Sequence, residues 1–155
     1  MARANYQVLV LPYRKTEDGV RYCLFRRSDM ERCWQFVAGG GEDEDETPAV
    51  SARREAFEEA GIPFDAPFAR LETVSSISTE HFPKARLHWG ESCLVIPEYC
   101  FAAEVPEGQI VLSHEHTRFA WVDYDTAMAQ LQYDSNKVAL WELDNRLRLG
   151  LLNTL

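Results

Sequence analysis

The chain has 155 residues, of which 46% are hydrophobic and 26% are charged, and its formal net charge is −9. This length predicts a single domain over residues 1–155 with a substantial core. No apolar run approaches the ~20 residues that cross a bilayer, so we expect no membrane partner. The acidic balance shows no basic patch, which argues against binding a nucleic-acid polymer. An acidic protein can still bind phosphates where divalent metal ions supply positive charge.

The first fifteen residues, MARANYQVLVLPYRK, carry a short apolar run without a small-residue cleavage site. This pattern is typical of a first strand rather than of a signal peptide. The four cysteines, Cys23, Cys33, Cys93 and Cys100, show no CxxC spacing. We expect reduced, partly buried thiols in a cytoplasmic protein.

The first third of the chain predicts strands. Residues 6–13 and 20–27 alternate as the two strands of a hairpin, and the turn at 15–19 ends in Gly19, which tolerates positive φ. Residues 34–38 predict a short strand, and the three glycines at 39–41 are expected to end it.

The clearest helix follows these glycines. Thr47 is a good N-cap, Pro48 suits the first helical position, and Gly61 suits the position after a helix that ends near Ala60. The apolar face expected to meet the core consists of Val50, Phe57 and Ala60.

The second half predicts further strands at 70–78, 92–105, 109–113 and 118–123, with a polar loop at 79–91. A last helix is expected from a cap at Asp134 or Ser135 to about Arg148, ended by Gly150, with Val138, Trp141 and Leu149 inward. This order predicts an α+β fold, an α/β/α sandwich with a mixed sheet between helical layers.

The central helix carries a cluster of acids. Glu55, Glu58 and Glu59 are spaced i, i+3, i+4, which places three carboxylates side by side. A solvated helix face would give the same pattern, because Glu is a good helix former. The glycine-rich segment just before the helix favours a ligand site instead, since backbone without side chains can approach a ligand closely. Oxygen ligands on a rigid helix suit Mg²⁺, with Mn²⁺ as a substitute.

These residues match a family signature, G-x5-E-x7-R-E-U-x-E-E-x-G-U. The matching positions are Gly40, Glu46, Arg54, Glu55, Glu58, Glu59, Gly61 and Ile62, with Ala56 where a bulkier aliphatic residue is common. Seven fixed identities would coincide by chance on the order of once in 10⁸ starts. The segment resembles the Nudix box, the signature of Nudix hydrolases.

The resemblance implies Mg²⁺-assisted hydrolysis of a pyrophosphate bond in a nucleoside diphosphate linked to another group. It implies that Glu55 and Glu59 bind metal most directly, that Glu58 lies close behind, and that the Gly40 carbonyl adds an oxygen. It further implies that Arg54 pairs with Glu46 and holds the loop against the helix.

Other segments resemble one branch of the family, the dATP pyrophosphohydrolase and dihydroneopterin triphosphate diphosphatase group. These are CWQFVAGGGEDEDE, WGESCLVI, QIVLSHEHTRFAWVD and DSNKVALWEL. In that group a Glu-His pair before a Trp-containing strand supplies an extra carboxylate, here Glu115 followed by His116. The resemblance implies that Glu115 is a third metal ligand or the base that activates water; otherwise it is an exposed loop acid.

The substrate-binding residues implied by the resemblance are Arg26, Arg3, Trp34 and Ala38, and Lys84 is a further phosphate candidate. Trp34 could stack on a base or lie in the core. Ala38 replaces a threonine of the family, which weakens hydrogen bonding there. His114 and His116 could bind zinc as a pair, but contact with phosphate or packing beside Trp121 fits better.

The predicted substrate is a nucleoside or pterin triphosphate, cleaved to monophosphate and pyrophosphate by a monomer or homodimer. Two alternatives stay open. One is hydrolysis of a dinucleoside polyphosphate or nucleotide sugar, and the other is a Nudix-fold sensor that binds a nucleotide without cleaving it. The intact box acids argue against the sensor.

Overall fold

A computed structural model describes residues 3–29, 32–43, 47–106 and 110–155. Its strands are β1 (Arg3–Thr16), β2 (Gly19–Arg27), β3 (Trp34–Gln35), β4 (Val37–Glu42), β5 (Phe68–Ser78), β6 (Val95–Glu104) and β7 (His116–Val122). Its α-helices are α1 (Pro48–Ala60), α2 (Pro83–Trp89), α3 (Tyr124–Gln130) and α4 (Asp134–Leu149). None of the helices in these ranges is long and apolar enough to cross a membrane.

The strands form one mixed sheet in the order β3-β2-β1-β6-β5, with β4 paired to β1 and β7 paired to β2. β1 and β6 run parallel, and the other pairs are antiparallel. The alternating side chains of β1 separate two cores: Val8 and Val10 pack with α1, while Leu9 and Leu11 pack with α3 and α4. The predicted α+β sandwich, with a mixed sheet between helices, is confirmed.

Several local predictions are confirmed. The first hairpin pairs Tyr13 with Tyr22, and Gly19 has φ 113°. In α1 the Thr47 hydroxyl accepts a hydrogen bond from the Val50 amide at 3.2 Å, and Gly61 follows the helix in the left-handed region with φ 69°. The four cysteines are free, and three of them are buried.

The sequence predicted that the three glycines at 39–41 end a strand. They lie inside β4 instead. A Cβ at Gly39 would overlap the Glu55 carboxylate, one at Gly40 would overlap the Arg3 guanidinium, and one at Gly41 would overlap the Tyr6 ring. The glycines are therefore needed for close approach of neighbouring side chains, and the backbone remains extended.

The predicted buried faces of the two long helices are wrong except at Ala60. Val50 and Phe57 of α1 are 46% and 48% exposed, and Val138, Trp141 and Leu149 of α4 are likewise exposed. The buried residues of α1 are Ser51, Ala52, Glu55, Ala56, Glu59 and Ala60. Those of α4 are Asn136, Ala139, Leu140 and Leu143. Alanines on the buried faces allow each helix to approach the sheet closely, whereas Val50, Phe57, Val138, Trp141 and Leu149 lie on the outer faces.

Other boundaries also differ. The predicted polar loop at 79–91 contains a 3-10 turn and α2, and α3 was not predicted. Residues 110–113 of the strand predicted at 109–113 form no strand, because the amides of Val111 and Ser113 bond to the end of α1 instead. β6 begins at Val95 rather than at residue 92, and α4 is preceded by Tyr133, so neither Asp134 nor Ser135 is its N-cap.

Candidate active site

A cleft of about 940 Å³ opens where α1, β4, β6 and the segment before β7 meet. Its lining includes ten of the candidate residues singled out from the sequence, which are Arg3, Ala38, Gly40, Arg54, Glu55, Glu58, Glu59, His114, Glu115 and His116. The chain thus brings the glycine-rich strand, the acidic helix and the Glu115 loop together at one place.

The carboxylates of α1 differ in exposure. Glu55 and Glu59 are buried, with 9% and 6% of their surface exposed, whereas the Glu58 side chain is half exposed. Glu55 lies directly against Gly39, where any side chain would occupy the position of its carboxylate. The helix face that carries Glu55 and Glu59 therefore borders both the sheet and the cleft.

Arg54 joins this helix to β4. Its guanidinium donates to the Gly40 carbonyl at 2.9 Å and lies 3.0 Å from Glu55 and 3.2 Å from Glu58. It also lies 3.4 Å from the Glu42 carboxylate. The predicted pairing of Arg54 with Glu46 falls outside the described residues, because Glu46 is not among them.

The end of α1 holds the segment that carries Glu115. The amides of Val111 and Ser113 donate to the carbonyls of Ala60 and Glu59 at 2.9 and 3.2 Å. The Ser113 hydroxyl also donates to the Glu59 carboxylate at 2.9 Å. These bonds use carbonyls that the helix leaves unpaired at its C-terminus, and they bring the following residues to the cleft.

Glu59 and Glu115 affect each other electrostatically. Burial, together with the neighbouring Glu115 and Glu55, raises the pKa of Glu59 to about 7, against the lowering effect of the Ser113 hydrogen bond. Burial also raises the pKa of Glu55, against the lowering effect of Arg54. Like charges held together in a partly desolvated cleft are stabilised by a cation.

His116 lies beside this cluster. Its Nδ1 is 3.5 Å from a Glu59 oxygen, and its ring lies 5.4 Å from the Phe25 ring. Burial lowers its pKa, which favours the neutral imidazole. His114 lies at the cleft with its side chain exposed.

Arg3 supplies positive charge on the opposite wall. Its guanidinium lies against Gly40 and over the Phe82 ring at 4.5 Å, and it donates to Gln7 at 2.9 Å. Within the described ranges, its buried Nε has no hydrogen-bond partner. Burial lowers its pKa, while Glu55 and Glu115 raise it. This geometry leaves a guanidinium donor available to an anion.

Three candidates lie elsewhere. Arg26 and Trp34, which pair with each other across β2 and β3, are not among the cleft-lining residues. Arg27 lines the cleft in place of Arg26, in an ion pair with Asp29. Trp34 packs against the core beneath α4, and Lys84 lies exposed on α2.

No site residue was predicted from the sequence at the opposite end of the cleft. Gln7, Glu98, Ser135 and Asn136 line it. Glu98 is an acid within the otherwise apolar run VIPEYCF. An acid in such a run is unusual, and this feature could have identified Glu98 as a candidate site residue from the sequence.

Comparison with known proteins identifies the family. The NUDIX domain model matches residues 5–141. The chain belongs to the NUDIX family. A structure from Listeria monocytogenes assigned as a NUDIX hydrolase is 38% identical, with 98% of this chain and 100% of that chain covered and a TM-score of 0.86. This Nudix chain is therefore an enzyme of the pyrophosphohydrolase type.

More distant structures share the fold. The dihydroneopterin triphosphate pyrophosphohydrolase of E. coli is 24% identical, covering 94% of this chain and 99% of that chain, with a TM-score of 0.75. An Ap4A hydrolase of C. elegans is 18% identical, covering 94% and 98%, with a TM-score of 0.72. The sequence comparison with curated proteins gives no match.

Nudix enzymes generally use divalent metal ions, and the donors at the cleft fit such an ion. Glu55 and Glu59 offer hard carboxylate oxygens, and the Glu55 carboxylate occupies the space that a side chain at Gly39 would fill. In the part of the chain that the structure describes, no three His, Cys, Asp or Glu side chains already converge in a metal-holding arrangement. Binding would therefore require these carboxylates to turn toward the ion, or water and substrate to supply further oxygens.

Proposed function

We propose that this protein hydrolyses nucleoside or pterin triphosphates to the monophosphate and pyrophosphate, with Mg²⁺, or Mn²⁺ as a substitute. The observation that carries the proposal is the shared cleft, in which Glu55, Glu59 and Glu115 face the cationic side chain of Arg3. Carboxylates suit a metal, and a guanidinium suits phosphate oxygens.

Glu55 and Glu59 would hold the metal, with Glu58, Glu115 and the Gly40 carbonyl nearby. A bound divalent ion neutralises phosphate charge and lowers the pKa of water. Glu115, which lies beside Glu59, can accept the proton that the attacking water loses.

Arg3 would bind phosphate oxygens of the substrate, and Arg54 would fix α1 against β4 through the Gly40 carbonyl. The water oxygen forms a new bond to a phosphorus of the triphosphate. The P–O bond of the anhydride that joins the monophosphate to the pyrophosphate breaks, and pyrophosphate is released. The triphosphate named for the E. coli structure supports this choice of substrate.

The test is a panel of Mg²⁺-bound substrates: dATP, other deoxynucleoside triphosphates, dihydroneopterin triphosphate, diadenosine tetraphosphate and ADP-ribose. Release of pyrophosphate rather than orthophosphate from a triphosphate is expected. A preference of tenfold or more for the dinucleotide or for ADP-ribose would overturn the substrate and leave the family unchanged. Binding of these nucleotides with no hydrolysis of any would instead indicate the sensor.

A further inference from the structure

Glu98 is a buried acid at the end of the cleft away from the acidic helix. It lies on β6 in register with Gln7 of β1 and Ser75 of β5, and only 3% of its surface is exposed. Gln7 in turn pairs with Gly40 of β4. Two strand spacings separate Glu98 from Gly40, about 10 Å. A substrate whose phosphates lie near Gly40 can therefore place its base near Glu98.

Of the two carboxylate oxygens of Glu98, only one has a hydrogen-bond partner within the described residues. Its Oε2 accepts a hydrogen bond from the Gln7 amide at 2.7 Å, and Gln7 is fixed because its own oxygen accepts from Arg3 at 2.9 Å. Burial raises the pKa of Glu98, against the lowering effects of the Gln7 and Ser135 side chains. Among the described residues, however, Oε1 has no hydrogen-bond partner. A buried acceptor left without a donor is costly, so a ligand that donates there gains affinity.

The neighbouring amide on this wall is already engaged. Asn136 accepts from the Phe36 amide at 2.9 Å and donates to Ser135 at 3.3 Å. The Glu98 carboxylate beside Asn136 remains available to a ligand. It accepts hydrogen bonds and, when ionised, cannot donate them.

We propose that Oε1 of Glu98 recognises a base edge with adjacent ring N–H and amino donors, the 2-amino-4-oxopyrimidine edge that guanine and dihydropterin share. Adenine instead presents an acceptor nitrogen beside its amino group, and that nitrogen opposes the carboxylate. A site built to bond a donor rejects an analogue that lacks it. This specificity rests on the proposed triphosphate hydrolysis at the same cleft.

The experiment compares kcat/KM for dGTP, dITP, dATP and dihydroneopterin triphosphate in the wild type and in Glu98→Gln. The matched control is Glu104→Gln, a change on the same strand outside the cleft lining. The wild type should prefer dGTP or dihydroneopterin triphosphate over dATP by ~10-fold or more. Inosine lacks the 2-amino group, so dITP should fall between them.

In Glu98→Gln that preference should shrink ~10-fold, chiefly through KM, with dATP within about threefold of the wild type. The control should match the wild type. If Glu98→Gln lowers kcat/KM only for dGTP or only for dihydroneopterin triphosphate, that compound carries the base edge that Glu98 recognises. Equal wild-type rates for dGTP, dihydroneopterin triphosphate and dATP, or an equal loss for every substrate in the variant, would overturn the recognition by Glu98.

Metal-free binding separates this proposal from the catalytic one. Calorimetry with GMP, IMP, AMP and dihydroneopterin monophosphate requires no hydrolysis, and thermal unfolding checks that the variant is folded. If no triphosphate is cleaved but binding of GMP or the pterin exceeds that of AMP and Glu98→Gln abolishes the difference, the proposed reaction fails and the recognition stands. No preference among the monophosphates in the wild type overturns the recognition.

Discussion

Replacing Glu59 with glutamine tests the acidic cluster with one atom changed. The side chain keeps its volume and can still accept the Ser113 hydrogen bond, which measures 2.9 Å, but it loses its charge. If Glu59 binds the metal, turnover of the best substrate in saturating Mg²⁺ should fall by ~10² or more, the usual loss on removing one stabilising group at a charged transition state.

The same change should stabilise the metal-free protein at high pH. The folded-state pKa of Glu59 is about 7, above its ordinary value of 4.5, so the folded protein holds this proton more tightly than the unfolded chain. The resulting stability is fully present below about pH 4.5 and is lost as the pH rises to about 7. At 1.36 kcal/mol per pH unit, ionisation costs up to about 3 kcal/mol at pH 8.

Urea unfolding of both proteins at pH 5 and pH 8, in chelator, measures this effect. His116 acts in the opposite direction, because a lowered histidine pKa costs stability on acidification. The difference between wild type and variant therefore isolates Glu59. We expect the variant to gain about 1–3 kcal/mol over the wild type between the two pH values. Glu72→Gln, at an exposed residue, is the control.

Two results would refute the reasoning. Near-wild-type turnover of Glu59→Gln in saturating Mg²⁺ would remove Glu59 from the metal site. An unchanged pH dependence of stability would show that its carboxylate is not held in the crowded, desolvated state described above.

Three further changes test the neighbouring features. Glu115→Gln should lower the pKa of Glu59 from about 7 toward 4.5 in a carboxyl NMR titration of the metal-free protein, and an unaltered titration would place Glu115 too far away to act on it. Gly61→Ala should cost about 1–2 kcal/mol in urea unfolding, because φ is +69° and the new Cβ would crowd Val111; wild-type stability contradicts this. Arg3→Ala should raise KM for the triphosphate about tenfold with a smaller effect on kcat, and an unchanged KM argues against phosphate binding.

The sequence by itself determined the features that depend on local chemistry. Thr47, Pro48 and Gly61 bound α1 because a cap hydroxyl, a fixed φ and a left-handed residue act within one turn. The placement of Glu55, Glu58 and Glu59 side by side followed from their spacing and the helical period. The family followed from the box residues, and its model covers 5–141; a single domain over 1–155 stays a prediction.

Only the tertiary structure decided which faces are buried and what meets at the cleft. Large apolar residues such as Phe57 and Trp141 suggested core positions, yet small alanines pack on the sheet because they permit close approach. Glu115 reaches the acidic helix through hydrogen bonds to the carbonyls that end α1, an arrangement no local pattern contains. Glu98 became a candidate only because strand pairing sets it beside Gln7, with one oxygen left to bond a ligand.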